Sequence, residues 1–202
     1  MTDKDVNTVC SALSTLPFQE LLLLYCETVP HPVIVGVTPV ELIVALRDWL
    51  YRKYILEQRL HCIAILYSRI AIAGSLKPWM LYRLKAPIED SDATTLLNVI
   101  VNKLKHGTLS LANGYHSTLA SVCCSVLLSD GPLSIVEHRL VCFNVWPMEP
   151  FLAVHAPGMI AHSEKFHAAL VSALGDPENC LHGYYGDLNG CISEILRTSK
   201  TR

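Results

Sequence analysis

The sequence predicts a mainly helical α+β protein with one small antiparallel sheet in its C-terminal half. Apolar residues recur at helical spacing through the first half, and β-branched runs follow the turn Ser129-Asp130-Gly131-Pro132. The composition is 51% hydrophobic and 17% charged, with a mean hydropathy of +0.34. At 202 residues we expect one domain, residues 1–202, with apolar side chains to fill a sizeable core.

The first predicted helix begins near Pro17, with Thr15 as its cap, and runs to about Thr28. Proline is well tolerated in a first helical turn because its missing N–H has no partner there. Leucines and a tyrosine form one apolar face, and further leucines widen it almost all round, which predicts deep burial. These residues are Leu21, Leu22, Leu23, Leu24 and Tyr25.

The second predicted helix has the clearest start signal in the chain. After a short extended run, Val33–Val37, Thr38-Pro39-Val40-Glu41 combines a threonine cap, a proline at the first helical position and a glutamate three residues after the cap. The helical pattern is expected to break near Tyr54, to continue to Ala73, and to end at Gly74.

The remaining elements are predicted from caps and turn residues. Ser75–Asp90 is expected to be a loop, in which Trp79–Tyr82 forms an anchor or a short turn. Helices are predicted over Asp92–Lys105, from Ser117 to Leu128, after Ser163, and over Leu188–Arg197; strands are predicted over Leu133–Val145 and Phe151–Ala156.

Charge and targeting signals narrow the function classes. The net charge of −2 argues against a general electrostatic nucleic-acid binder, although a local basic patch is expected around Arg47, Arg52, Lys53 and Arg59. No apolar signal segment follows the charged N-terminus and no run of 18 apolar residues occurs, so we expect an intracellular protein without a transmembrane helix. The eight cysteines include no CxxC pair and are expected to be reduced, buried thiols.

The Leu16-Pro17 pair at the start of the first helix is the main candidate site. Together with Glu20-Leu21-Leu22-Leu23 and the later Trp49, it resembles a minimal F-box, in which a Leu-Pro helix docks into an apolar groove of the Skp-type adaptor of a cullin ligase. An ordinary buried N-terminal helix is the alternative. The F-box-like segment would span residues 14–50.

With His31-Pro32-Val33-Ile34 after the helix, the segment also resembles the F-box-like suppressors of RNA silencing of poleroviruses. The resemblance implies a viral, non-enzymatic protein of the host-cell cytoplasm that directs host Argonaute proteins to degradation through a cullin-RING ubiquitin ligase. It implies no cofactor and no metal. Adaptor docking would involve the family's Leu-Pro pair and the apolar anchors that follow it: Leu16, Pro17, Leu21, Leu22 and Leu24.

Two other functions remain open from the residues alone. Asn179-Cys180-Leu181-His182 is similar to the Asn-Cys-x-His core of a papain-like thiol hydrolase or acyltransferase family, with His155 or His162 as a further candidate histidine. The second open function is that of a helical interaction or assembly protein without a ligase link. A structural zinc site in the histidine- and cysteine-rich second half is a further alternative: the pairs His138/Cys142 and His162/His167 have suitable spacing, and Cys180/His182 would suit a strand or turn.

Overall fold

The computed structural model describes residues 3–32, 35–53, 55–107, 109–129, 139–156, 164–175 and 181–200. They form seven helices: α1 (Asp3–Leu13), α2 (Phe18–Thr28), α3 (Pro39–Tyr51), α4 (Leu56–Ile72), α5 (Asp90–Gly107), α6 (Glu164–Leu174) and α7 (Leu188–Ser199). The six strands are β1 (Trp79–Arg83), β2 (Leu109–Ser117), β3 (Val122–Ser129), β4 (Arg139–Val145), β5 (Phe151–His155) and β6 (Leu181–Tyr185). The predicted α+β class is confirmed.

All six strands form one antiparallel sheet in the order β2-β3-β4-β5-β1-β6. The predicted hairpin between β4 and β5 is present, with Cys142 opposite His155. The Trp79–Tyr82 segment, predicted to lie in a loop, is instead the internal strand β1. Its four residues are buried on both faces of the sheet, so the run shows no polar alternation by which a strand is recognised.

The helix predicted from Ser117 to Leu128 is wrong. Most of this segment is β3, which pairs with β2 on one side and β4 on the other. Helices cover both faces of the sheet, so β3 is a continuous apolar run, and such a run does not distinguish a strand from a buried helix.

The two faces of the sheet carry separate cores. One face packs under α5 and α6, through Met80, Tyr82, Leu97, Ile100, Cys124, Val126, Phe143, Leu152, Val154, Phe166 and Leu170. The opposite face packs under α7 and the end of α4, through Ala71, Trp79, Leu81, Cys123, Cys142, Phe151, Ala153, Leu188, Cys191 and Ile195.

Helices α1, α2 and α3 pack with α4 into an N-terminal bundle that shares a third core. Its buried members include Val6, Val9, Leu13, Leu16, Leu21, Leu24, Leu42, Leu46, Leu50, Ile63, Leu66 and Ile70. The sheet therefore supports α4 directly, and α4 in turn supports the helices that carry the Leu-Pro pair.

The helix-end predictions gave mixed results. Thr38 caps α3 as predicted, in a capping box with Glu41. Gly74 follows α4 at φ +79°, where its N–H donates to the Ala71 carbonyl, as in a Schellman motif. Thr15 does not cap α2, because its hydroxyl donates back to the carbonyl of Ala12.

Three further predictions concern segments that are described only in part. Val33 and Ile34 lie outside the described residues, and Val35-Gly36 form a turn rather than the end of an extended run. The break between α3 and α4 is present, with α3 ending at Tyr51. The predicted strand from Leu133 is described only from Arg139 onward.

Candidate docking site on the N-terminal helices

The chain enters α2 through a fixed turn around Leu16-Pro17. The Leu16 N–H donates to the Leu13 carbonyl at 3.1 Å, which continues the end of α1 by one turn. Pro17 precedes α2 in an extended conformation, φ −55° and ψ 146°, and its carbonyl accepts from the Leu21 N–H at 3.0 Å. The ring of Pro17 restricts φ, so the direction of α2 is set by the residue at its entry.

The five residues predicted to dock an adaptor divide into two groups. Leu16, Leu21 and Leu24 are buried in the N-terminal core, and Leu22 is half-buried against it. Pro17 is exposed. The buried leucines therefore anchor α2 to its own protein, and a partner reaching this helix contacts other side chains.

Two apolar side chains on α2 are exposed and were not among the predicted site residues. Phe18 is 43% exposed and Leu23 is 54% exposed. Helical phase would have indicated Leu23, because it follows Leu21 by two residues and therefore points about 200° away from it. Because four leucines follow one another, the apolar pattern alone does not show which of them face outward.

A narrow cleft of about 60 Å³ separates α2 from the C-terminal end of α4 and from β2. Its lining combines apolar side chains with a charged and polar rim: Leu16, Glu20, Leu23, Leu24, Arg69, Ile72, Ala73 and His116. Liquid water occupies about 30 Å³ per molecule, so the cleft has room for the end of one small side chain. Two of the predicted docking residues, Leu16 and Leu24, are buried in the core and also line this cleft.

Opposite charges bridge the two helices beside the cleft. Arg69 of α4 forms an ion pair with Glu27 of α2. Burial lowers the pKa of His116, and the nearby positive charge of Arg69 lowers it further, against an opposing effect of Glu27. His116 therefore presents a neutral imidazole to the cleft at pH 7, beside an ion pair that joins α2 and α4.

The histidines proposed for thiol chemistry lie in different places. His155 is buried, accepts or donates a hydrogen bond at 2.9 Å to the Pro78 carbonyl, and packs beside Trp79. His182 contacts the ring of Phe151 and pairs with Glu194 at 2.9 Å. Phe151 and His155 are the two ends of β5, about 13 Å apart at strand spacing. The two imidazoles are therefore not brought together.

Burial keeps three thiols of the core beneath α7 protonated. It raises the pKa of Cys123 and Cys142 well above the ordinary value, and it raises the pKa of Cys191 to about 12. A protonated thiol is neither a nucleophile nor a metal ligand. Cys180, His162 and His138 lie outside the described residues. Within the described ranges, no group of three or more histidine, cysteine or acidic side chains is placed to hold a metal ion.

The helices of the described residues do not meet the requirements for spanning a bilayer. None of them combines the length and the apolar character needed to cross one.

No protein-family model matches the chain, and no curated protein matches it either.

Proposed function

We propose that this chain is a non-enzymatic adaptor that docks a partner protein on α2, as an F-box-like suppressor of RNA silencing does. In this proposal α2 is held from behind by Leu16, Leu21 and Leu24, while Pro17 and the exposed apolar side chains beside it face the partner. The partner would be a host Skp-type adaptor of a cullin-RING ligase, in the host-cell cytoplasm.

The observation that carries the proposal is the two-sided character of α2. One side is fixed in the N-terminal core, while Pro17, Phe18 and Leu23 are exposed outside that side. A helix already fixed in its bound conformation loses little conformational entropy on docking, which favours helix-in-groove recognition. Exposed apolar side chains on such a helix are suited to fill pockets in the groove of a partner.

The target of the ligase follows from the family resemblance alone. That resemblance implies Argonaute as the protein directed to degradation. The target-binding surface would lie in the sheet-containing part of the molecule, where no docking residue is assigned.

The test is a binding measurement with a purified plant Skp-type adaptor. Variants of buried Leu16 are unsuitable, because Leu→Ala in a core costs about 2–5 kcal/mol and can unfold the bundle. The Pro17→Ala/Leu23→Glu variant changes exposed positions and is expected to weaken adaptor binding at least about tenfold, as loss of a hot spot does. Leu196→Glu is the matched control, since Leu196 is 56% exposed on α7, close to the 54% of Leu23.

Equal affinity of the wild type and the Pro17→Ala/Leu23→Glu variant would overturn the docking proposal. Equal weakening by Leu196→Glu would do the same, because it would mean that any added surface charge disturbs the complex. Circular dichroism of each variant checks that the overall helix content is unchanged.

A second candidate is an interaction or assembly protein without a ligase link. The burial of Leu21, Leu24 and Tyr25 within the protein's own core favours it, since most of the leucine-rich face is already satisfied. The same experiment separates the two functions, because this candidate predicts no binding of the Skp-type adaptor by the wild type.

A further inference from the structure

A basic surface lies at the C-terminal end of α3 and the start of α4. It consists of Arg47, Arg52, Lys53 and Arg59, the residues that the sequence indicated as a local basic patch. Residues 47–59 hold four cations and two carboxylates, a local charge of +2, so the rest of the chain carries −4. This segment thus carries a local excess of positive charge in a chain whose remainder has a net negative charge.

Neighbouring rings and a carbonyl hold three of these cations in place. The guanidinium carbons of Arg47 and Arg59 lie 5.7 and 5.8 Å from the centre of the Tyr51 ring. The ammonium of Lys53 lies 5.0 Å from the centre of the Trp49 ring. Arg59 also donates from Nε and Nη2 to the Lys53 carbonyl, at 3.0 and 2.8 Å. A cation held in this way loses little side-chain entropy when it binds an anion.

One carboxylate, that of Asp3, lies beside the basic surface without forming an ion pair with its cations. Among the described residues, none of its four cations lies within ion-pairing distance of a carboxylate. The carboxylate of Asp3, which reaches this end of the bundle, instead accepts a hydrogen bond from the Tyr51 hydroxyl at 2.8 Å. Three of the four cations are therefore ordered, and none is ion-paired within the described residues, so they can bind an external anion.

This surface is separate from the α2 docking site. The Tyr51–Asp3 hydrogen bond places the basic surface at the start of α1, while the Leu16-Pro17 turn follows the end of α1. Helix α1 has 11 residues, which corresponds to about 15 Å between its ends. A ligand of the basic surface and a partner on α2 therefore occupy opposite ends of the bundle.

We propose that the basic surface binds an acidic peptide segment of a partner protein. Single-stranded nucleic acid is the other common ligand of mixed basic and aromatic surfaces, and it binds by stacking its bases on free rings. Here the Tyr51 and Trp49 rings are engaged by the protein's own cations. The remainder of the chain has a net charge of −4, which favours a short acidic segment over a long polyanion.

Fluorescence anisotropy with the full chain tests this proposal. The probes are a labelled peptide of alternating Glu and Gly, its counterpart with Gln in place of Glu, and an oligouridylate of the same length. At about 0.05 M salt we expect the Glu peptide to bind and the other two probes not to bind. At about 0.5 M salt, where screening is strong, we expect the binding of the Glu peptide to be lost. Arg47→Gln/Arg59→Gln is expected to weaken it about tenfold.

The control variant Lys103→Gln/Lys200→Gln removes one cation on α5 and one directly after α7, both outside the N-terminal bundle. It is expected to leave the affinity unchanged. Equal affinities of the wild type and Arg47→Gln/Arg59→Gln would overturn the proposal, as would equal weakening by the control variant. Tighter binding of oligouridylate than of the Glu peptide would also overturn it and assign the surface to nucleic acid. None of these outcomes depends on whether α2 binds a Skp-type adaptor.

Discussion

Gly114 of β2 marks the closest approach between the sheet and the N-terminal bundle. A Cβ atom built on this glycine would lie 2.3 Å from the backbone N of Ile65 and 2.5 Å from the carbonyl C of Ala64, both in α4. Ordinary van der Waals contact begins at about 3.4 Å. The Gly114→Ala substitution therefore forces α4 about 1.1 Å away from β2.

The cost of this movement is large because the obstacle is backbone rather than a flexible side chain. Helix α4 also packs on β3 and on α1, so it cannot retreat without loosening other contacts. Overpacking costs about 1–3 kcal/mol and occasionally more, and we place Gly114→Ala at about 3 kcal/mol or above. For a chain of this length that corresponds to a Tm lower by about 6–12 °C.

Urea unfolding at equilibrium, followed by circular dichroism, measures this difference. The matched control is Gly186→Ala, since no heavy atom lies within 4 Å of a Cβ at Gly186. The control is expected to change the free energy of unfolding by no more than about 0.5 kcal/mol. If the free energy of unfolding of Gly114→Ala differs from that of the wild type by less than about 1 kcal/mol, the close packing of α4 on β2 is refuted.

Two further predictions concern buried and charged side chains of the sheet region. Neither polar atom of the fully buried Asn144 amide has a hydrogen-bond partner among the described residues. Asn144→Leu is therefore expected to raise the free energy of unfolding by about 1–2 kcal/mol in urea titrations, and a loss of stability would contradict this account. Hydrogen bonds from Arg197, and then from His182, lower the pKa of Glu194 from its ordinary value of 4.5 to about 2. A carboxyl with a lowered folded-state pKa contributes stability that is present above pH 4.5 and lost as the pH falls toward 2. Glu194→Gln should therefore flatten the dependence of the urea midpoint on pH between 4.5 and 2, and identical slopes for variant and wild type would exclude this role.

The elements that the sequence predicts best are those whose signals are local. The capping box at Thr38 and Glu41 specifies the start of α3 through hydrogen bonds between residues three apart, so no tertiary information is needed. The end of α4 at Gly74 is also specified locally. Its φ of +79° is one that residues with a Cβ atom rarely adopt, so glycine marks this position in the sequence.

The errors arise where the decisive interaction is with a distant segment. Whether the run Val122–Leu128 is helix or strand depends on the presence of β2 and β4 beside it, and β4 begins only at Arg139. The strand β1 depends on pairing with β5, about 70 residues further along the chain. A local pattern contains neither partner, and both strands lack the alternation that a solvent-exposed face would give them.

The candidate site shows the same division between local and tertiary information. The sequence predicts a leucine-rich helix that starts at Pro17, and α2 is that helix. Which leucines face inward is decided by the packing of α2 in the N-terminal core, mainly on α3, so only this packing distinguishes Leu23 from Leu24. Glu20, three residues after Pro17, lines the cleft together with Arg69.

Helix α4 links the two proposed binding surfaces. It carries Arg59 at the basic end of the bundle and Arg69 beside the cleft, ten residues later, which corresponds to about 15 Å along the helix axis. Sites this far apart without shared partners contribute independently to binding. Since Gly114 fixes α4 against the sheet between these two positions, the spacing of the surfaces is set by a rigid contact rather than by a loop. One partner presenting both an apolar groove and an acidic segment at this spacing would gain affinity from both surfaces, because the first contact raises the effective concentration for the second.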